Sequence, residues 1–306
     1  MAHRNGGKVA LCFPGQLNKV PDEIGKRSGG GSKLPHPFFE RAWERADFDF
    51  FSFFFQREEE DQYLSVKLQV ATFLLSMISF DRYRKKGSHW DVITEHSMGI
   101  YAALVAAEAM SFDDGLMMVK GIGLILEQGE QAKSGGMVAV IGLESEAIKK
   151  LCSDVGGGLS VANVNGSRQF VLSGATTSIE QGLKLALQRG AISAQRLTMS
   201  VPLHSPLMES IKGAVHAFIS DISIQPPQTP VVSHWCGRPL HDPDEIRDFL
   251  VEELCRPVDW EGCVQYLLAQ GVTCFVEMGP ADTLTKLIRW IDRDVKALSY
   301  GVHDAI

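Results

Sequence analysis

The sequence predicts an α/β protein, a mostly parallel sheet with helices on its faces, interrupted by an inserted unit of ferredoxin-like βαββαβ order. Short apolar runs bounded by Pro and Gly alternate with segments of helical spacing, the pattern of a parallel sheet built from crossovers. Between residues 135 and 200 the rhythm changes to strand, helix, two strands joined by a polar turn, helix, strand. The 306 residues, 45% hydrophobic and 22% charged, are enough for one large domain or two smaller ones and for a full core.

The first apolar run, Val9-Ala10-Leu11-Cys12-Phe13, is stopped by Pro14-Gly15 and reads as a buried strand entering a turn. The glycine-rich stretch 25–37 reads as a surface loop; its Ser32-Lys33 lacks the Gly-Lys-Ser/Thr order of a phosphate-binding loop. The phenylalanine-rich segment 38–55 reads as core and a buried subunit contact. Residues 61–86 have apolar side chains at helical spacing and end in Arg82, Arg84, Lys85 and Lys86, which suit a helix C-terminus. Asp91-Val92-Ile93 reads as a strand, 100–110 as a buried helix, and 113–128 as a helix capped by Ser111 or Asp113. In the inserted unit, strands fall at 137–141, 159–164, 169–172 and 192–199, and helices at 145–155 and 177–188. Asn165-Gly166-Ser167-Arg168 joins the middle strands. Helices follow at 206–220, 246–254, 264–270 and from 283, with strands at 231–233 and 273–277.

The formal net charge of -7 does not favour nucleic acid or an anionic membrane. Six cysteines are scattered without a CxxC pair, which argues against a structural zinc site and for a reducing compartment. The apolar stretch ending at Phe13 is too short for a signal-peptide core. The longest apolar segment, 70–80, carries Ser76 and Ser79 and falls far short of a membrane span. The expectation is a soluble cytoplasmic protein.

The strongest local signal is Glu95-His96-Ser97-Met98-Gly99, set between a strand and a helix. That is the context of a nucleophile elbow, in which a sharp turn lifts a serine hydroxyl into a cleft at a helix N-terminus. The elbow pattern is GxSxG, and here Glu95 stands at the first glycine. The competing reading is a helix cap, with Ser97 bonding the N–H of Gly99 or Ile100.

Further motifs follow a fixed order around that pentapeptide: Phe13-Pro14-Gly15-Gln16, the elbow, the inserted unit, Val201-Pro202-Leu203-His204-Ser205-Pro206, Arg256-Pro257-Val258-Asp259-Trp260, and Phe275-Val276-Glu277-Met278-Gly279-Pro280. The ordered set resembles the malonyl-CoA:acyl-carrier-protein transacylase family and the acyltransferase domains of polyketide synthases, over nearly the whole chain. The resemblance implies an α/β-hydrolase-like large subdomain over 1–130 and 201–306 and a ferredoxin-like small subdomain over 131–200. It implies Ser97 as the nucleophile that takes the acyl group as an ester and His204 as the general base. In this family a main-chain carbonyl rather than a carboxylate holds the base, at the position of Glu253. The backbone N–H groups of Gln16 and Met98 match the oxyanion hole. Asn163 and Gln69 match polar residues that face the cleft, and Leu203 adjoins the base. A serine needs such a base because its own pKa leaves it protonated at pH 7. Each oxyanion donor contributes roughly 10²–10³ in rate.

Two departures stand out. Leu17-Asn18 follows Gln16 where the family has Gly-Ser. Malonyl-specific members carry an arginine in Val-x-x-Arg-Gly that binds the substrate carboxylate; Val119-Lys120-Gly121-Ile122-Gly123 puts Ile122 there. Lys120 would lie nearly on the opposite helix face. Losing the guanidinium removes charge-assisted bonds of about 1.5–3 kcal/mol each, so Ile122 suggests a neutral acyl substrate. Arg168, in the turn beside Asn163, is the nearest side chain that could replace the arginine.

The resemblance implies no permanently bound cofactor. Coenzyme A thioester is a substrate, and the phosphopantetheine thiol arrives on an acyl carrier protein. Carrier proteins of this kind are acidic, so Lys286, Arg289 and Arg293, at helical spacing, are the candidate docking patch. Alternatives are an acyl hydrolase that clears carrier proteins and a transferase between two carriers. An ordinary esterase is disfavoured because its histidine comes last in the chain, and His303 lies in a terminus expected to fray. A dead carrier-protein scaffold is opposed by the intact Ser97, His204 and Gln16.

Overall fold

The computed structural model describes residues 7–16, 36–46, 64–129, 135–235 and 237–301. Six strands form the larger sheet: β1 (Lys8–Phe13), β2 (Val92–Glu95), β7 (Val231–Val232), β8 (Pro239–Leu240), β10 (Val272–Met278) and β11 (Lys296–Tyr300), in the order β11-β10-β1-β2-β7-β8. All neighbours are parallel except β7 and β8. The central strand β1 is a continuous apolar run because both faces are covered. Its alternation distributes the core: Leu11 and Phe13 enter one apolar cluster, while Ala10 and Cys12 enter another.

The first cluster is built with the helices α1 (Pro37–Ala46), α2 (Leu64–Lys85), α3 (Gly99–Ala106) and α4 (Phe112–Gln128). Ser111 caps α4 by accepting from the Asp114 N–H. Among the described residues, α2 is long and apolar enough to cross a membrane, yet 83% of that stretch is buried inside the protein. A helix that is apolar all round is a core helix when its neighbours cover it; α4 and β10 pack against it here.

The smaller sheet contains β3 (Gly135–Ile141), β4 (Ser160–Gly166), β5 (Gln169–Ala175) and β6 (Ser193–Arg196), with α5 (Ser145–Val155) and α6 (Thr176–Gln188) on one face. Its order, β6-β3-β5-β4 with antiparallel neighbours, is the ferredoxin-like arrangement expected of the inserted unit. Period-two alternation gives the sheet two duties. Val138, Val140, Phe170 and Leu172 face the helices, while Met137 and Val171 face the main core. The remaining helices are α7 (Lys212–Ile219), α8 (Pro243–Glu252), α9 (Trp260–Ala269) and α10 (Thr283–Ile291).

Several expectations shift. β9 (Val258–Asp259) adds a fifth strand, parallel to β4, with Asn163 opposite Val258. β8 and β9 are two residues long, too short to show a period. β11 is an edge strand with Leu298 exposed. Residues 206–220 are not one helix but a 3₁₀ segment, Pro206–Ile211, continued by α7. Pro37 opens α1 instead of closing a loop, and Phe38 stacks on Phe112 at 4.2 Å. Residues 61–63, 25–35 of the expected loop, 47–55 of the phenylalanine-rich segment, Leu17-Asn18 and His303 lie outside the described residues.

Trp260 opens α9 with no solvent exposure and sets its ring 5.7 Å from that of His96. Trp260→Ala is expected to cost about 3–5 kcal/mol. The check is a lower urea midpoint at unchanged m-value; a loss under about 1 kcal/mol would mean the site collapses to fill the void.

Candidate active site

β2 ends at Glu95 in the middle of the sheet, and α3 starts at Gly99. The chain turns between them through Ser97, whose φ is +57°, in the left-handed region that costs a non-glycine residue about 1–2 kcal/mol. Gly99 tolerates the turn because a Cβ there would overlap the Phe13 carbonyl. The helix cap is Met98, and no side chain caps it. Ser97 is therefore not a capping serine: its Oγ lies 2.8 Å from His204 Nε2.

His204 is also left-handed, with φ of +57°, and is 2% exposed. Its N–H donates to the Leu254 carbonyl at 2.7 Å. Its Nδ1 lies 2.9 Å from the main-chain oxygen of Glu253, in the 3₁₀ turn Glu253–Cys255 after α8. A carbonyl can only accept, so Nδ1 carries the ring proton and Nε2 presents a lone pair to Ser97. The Glu253 side chain is engaged elsewhere: Oε1 accepts from the Tyr101 hydroxyl at 3.3 Å, and Oε2 stands 3.9 Å from His204 Nδ1.

Ser97 and His204 open onto a cavity of about 590 Å³. Gln16, Met98, Gln69, Ile122, Asn163 and Leu203 all line it. Ile122 is 1% exposed on α4 and Gln69 is buried on α2. The inner face of the small sheet supplies Met137, Asn163 and Val171, and α10 supplies Leu284 and Leu287. Among the described residues that line the cavity, none is Lys, Arg, Asp or Glu. Asn163 Oδ1 is buried without a hydrogen-bond partner among the described residues.

Arg168 does not join them. It bonds Glu144 at 2.6 Å with its side chain 57% exposed, because the turn that carries it faces solvent rather than the cleft. Nor do Lys286, Arg289 and Arg293 form one helical face. α10 stops at Ile291, before Arg293; Lys286 pairs with Asp282 at 2.8 Å and Arg289 donates to the Ala297 carbonyl at 2.6 Å.

Sequence reasoning missed a buried polar layer under the elbow. Glu95 turns its carboxyl inward onto His234, and His96 reaches Asn165 Oδ1 at 2.9 Å. The departure from GxSxG at Glu95 was the available signal. Its partner becomes readable only from the register of β2 on β7. Burial dominates the electrostatics of this layer. It holds His204 and His234 down to about 3 and His96 down to about 4. It pushes Glu95 and Glu253 up to about 8, and Glu277 up to about 7. His204 is thus neutral at pH 7, the form a general base requires.

Residues 40–297 match the family described as acyl transferase domain. The chain is 30% identical over 302 residues to malonyl CoA-acyl carrier protein transacylase of Bacillus subtilis, covering 98% of this chain and 95% of that one. Among solved structures, the acyl carrier protein S-malonyltransferase of Vibrio cholerae superposes with a TM-score of 0.87 at 30% identity, covering 96% of this chain and 97% of that one. A malonyl-transacylase solved in complex with its type II polyketide synthase acyl-carrier protein gives a TM-score of 0.86 at 27% identity, covering 95% of each chain.

The buried titratable groups set a pH window for stability. The three histidines are depressed from 6.5, so the unfolded chain binds more protons there and stability falls as pH drops below 6.5. The three glutamates are raised from 4.5, so the folded protein binds more and stability falls as pH climbs from 4.5 towards 8. Between 4.5 and 6.5 the two sets oppose each other. Urea midpoints measured against pH are expected to show a broad maximum there, with losses on both sides; a maximum near pH 8 would contradict this assignment.

Proposed function

The chain belongs to the acyl transferase domain family, and from that premise we propose that it moves a neutral acyl group from a thioester to the phosphopantetheine thiol of an acyl carrier protein. It is an acyltransferase of the malonyl-CoA:acyl-carrier-protein transacylase type. The single observation that carries the finer reading is the 2.8 Å contact between Ser97 Oγ and a neutral, carbonyl-held His204 at the mouth of a cavity with no Lys, Arg, Asp or Glu among the described residues that line it.

Ser97 Oγ attacks the thioester carbonyl as its proton passes to His204 Nε2. The backbone N–H groups of Met98, at the open start of α3, and of Gln16 receive the oxyanion. Collapse breaks the C–S bond, and His204 returns the proton to the departing sulfur. The carrier thiol then gives its proton to His204 and attacks the Ser97 ester, and Oγ takes the proton back as it leaves. Asn163, with its unpaired Oδ1 in the cavity wall, is suited to accept an N–H of the pantetheine arm. Gln69 and Leu203 shape the acyl end. Coenzyme A serves as a donor of the acyl group rather than as a resident cofactor. The carrier protein as partner is supported by the relative solved with one. The outer face of α10, with Lys286, Arg289 and exposed Trp290 beside the cavity wall, offers charge complementary to an acidic carrier.

A neutral acyl group is favoured because a malonyl carboxylate would find no cation among the described residues that line the cavity. Ile122 lines the cavity at the position that the family resemblance assigns to the arginine, and Arg168 bonds Glu144 outside the cavity. Burying that carboxylate unpaired costs several kcal/mol, and a deficit of about 3–4 kcal/mol is roughly 10²–10³ in selectivity.

Intact-mass analysis after incubation with butyryl-CoA should show one added butyryl group, absent from Ser97→Ala. The ratio of butyryl to malonyl kcat/KM should be on the order of 10², and Ile122→Arg should lower it. A parent enzyme that prefers malonyl, with that preference unmoved by the substitution, would sink the neutral-acyl reading. Release of free butyrate without an acceptor thiol would assign a hydrolase instead.

A further inference from the structure

Directly beneath the elbow, two side chains that the transfer reaction does not use are locked together. β2 and β7 run parallel with Ile93 opposite Val231 and Thr94 opposite Val232, so Glu95 and His234 meet just beyond the paired strands. Glu95 Oε1 accepts from the His234 backbone N–H at 3.1 Å, and both carboxyl oxygens approach His234 Nδ1, at 2.7 and 2.8 Å. The Ser97 N–H also points at Nδ1, at 3.3 Å. Both side chains are fully buried, and among the described residues His234 Nε2 has no hydrogen-bond partner. The His234 ring stands edge-on to His204, with centroids 6.1 Å apart. The elbow pattern requires only a glycine where Glu95 stands, so the carboxyl and its imidazole are an addition to the basic device.

We propose that Glu95 and His234 are a positioning pair for the reaction at Ser97, a buried carboxyl–imidazole clamp that fixes the elbow backbone and, on losing one proton, places a negative charge beneath His204. The role at Ser97 rests on the acyl-serine reading above; the proton chemistry of the pair does not. In the lower-pH form the pair holds two protons. The carboxyl O–H donates to Nδ1, and Nε2 carries the other as a donor without an acceptor. In the higher-pH form the carboxyl proton has moved onto Nδ1, which donates to the carboxylate and no longer accepts from the Ser97 N–H, and the Nε2 proton has left to solvent. One proton is lost, and the pair changes from neutral to a charge of minus one. Burial favours the neutral form and pushes Glu95 up to about 8. The other titratable groups around the pair are His96, His204, Tyr101, Glu253 and Asp259. Of these, Glu253 is also raised to about 8 and must be separated from Glu95.

The His204 and His234 rings stand 6.1 Å apart, so a negative charge on the pair stabilises the imidazolium that forms as Ser97 is acylated. At an effective dielectric near 20, the gain is on the order of tenfold or more in rate. The test is the single-turnover butyrylation rate of Ser97 by butyryl-CoA, followed by intact mass from pH 6.5 to 9.5. The parent is expected to show a rise centred near pH 8, and a rise that came from Glu253 would survive in Glu95→Gln. Glu95→Gln should fold, because its amide still accepts from the His234 N–H and donates to Nδ1, and should lack the rise. Glu95→Gln retaining the parent profile overturns the proposal. If that variant does not fold, ¹⁵N imidazole shifts of His234 in the parent decide: migration of the ring proton from Nε2 to Nδ1 over the same range supports the pair, and invariant shifts overturn it. Absence of any acyl adduct on Ser97 would fail the functional reading, and the nitrogen shifts would still judge the pair.

Discussion

His204 donates its Nδ1 proton to the main-chain oxygen of Glu253, and the geometry of the cleft follows from that bond. A carboxylate at this position could exchange protons with the ring; a carbonyl cannot. The tautomer is therefore fixed without adding a charge, and the lone pair on Nε2 is directed at Ser97 Oγ. Burial, which by itself depresses the imidazole, then works in the same direction by keeping the ring neutral. The bond requires the 3₁₀ turn after α8 to bring Glu253 back over residue 204, and the adjoining bond from the His204 N–H to Leu254 clamps the same two segments.

Two left-handed residues face each other across the cleft, and neither is a glycine. At about 1–2 kcal/mol each, this strain is stored where the chemistry is, and the surrounding core offsets it. Ser97 is held between β2, which is buried on both faces, and α3, all but one of whose residues are buried. Extended backbone at Ser97 would not produce a strand-to-helix turn with the hydroxyl at its apex.

The order of elements, the inserted antiparallel sheet and the serine–histidine pair were legible in the sequence because they have local signatures: period two, helical spacing, Pro-Gly stops and an elbow pentapeptide. What was not legible depends on tertiary register. Glu95 could be recognised as a departure, but not as the partner of a histidine 139 positions later. Arg168 shares a hairpin with Asn163, yet pleating and the outward turn send it to Glu144. Lys286, Arg289 and Arg293 have helical spacing, but the helix ends before the third of them. β8 and β9 carry too few residues for any pattern, although β9 sits inside a motif that the sequence displayed.

β9 has a mechanical consequence. It is hydrogen-bonded alongside β4, so the chain that leaves Glu253 is stitched, a few residues later, to the strand that carries Asn163. The two walls of the cleft are therefore geared together. A hinge motion of the inserted sheet that widened the cavity would pull on the segment whose carbonyl orients His204. Opening the mouth and disengaging the base would be one displacement, so an open, solvent-filled cleft would be idle by construction.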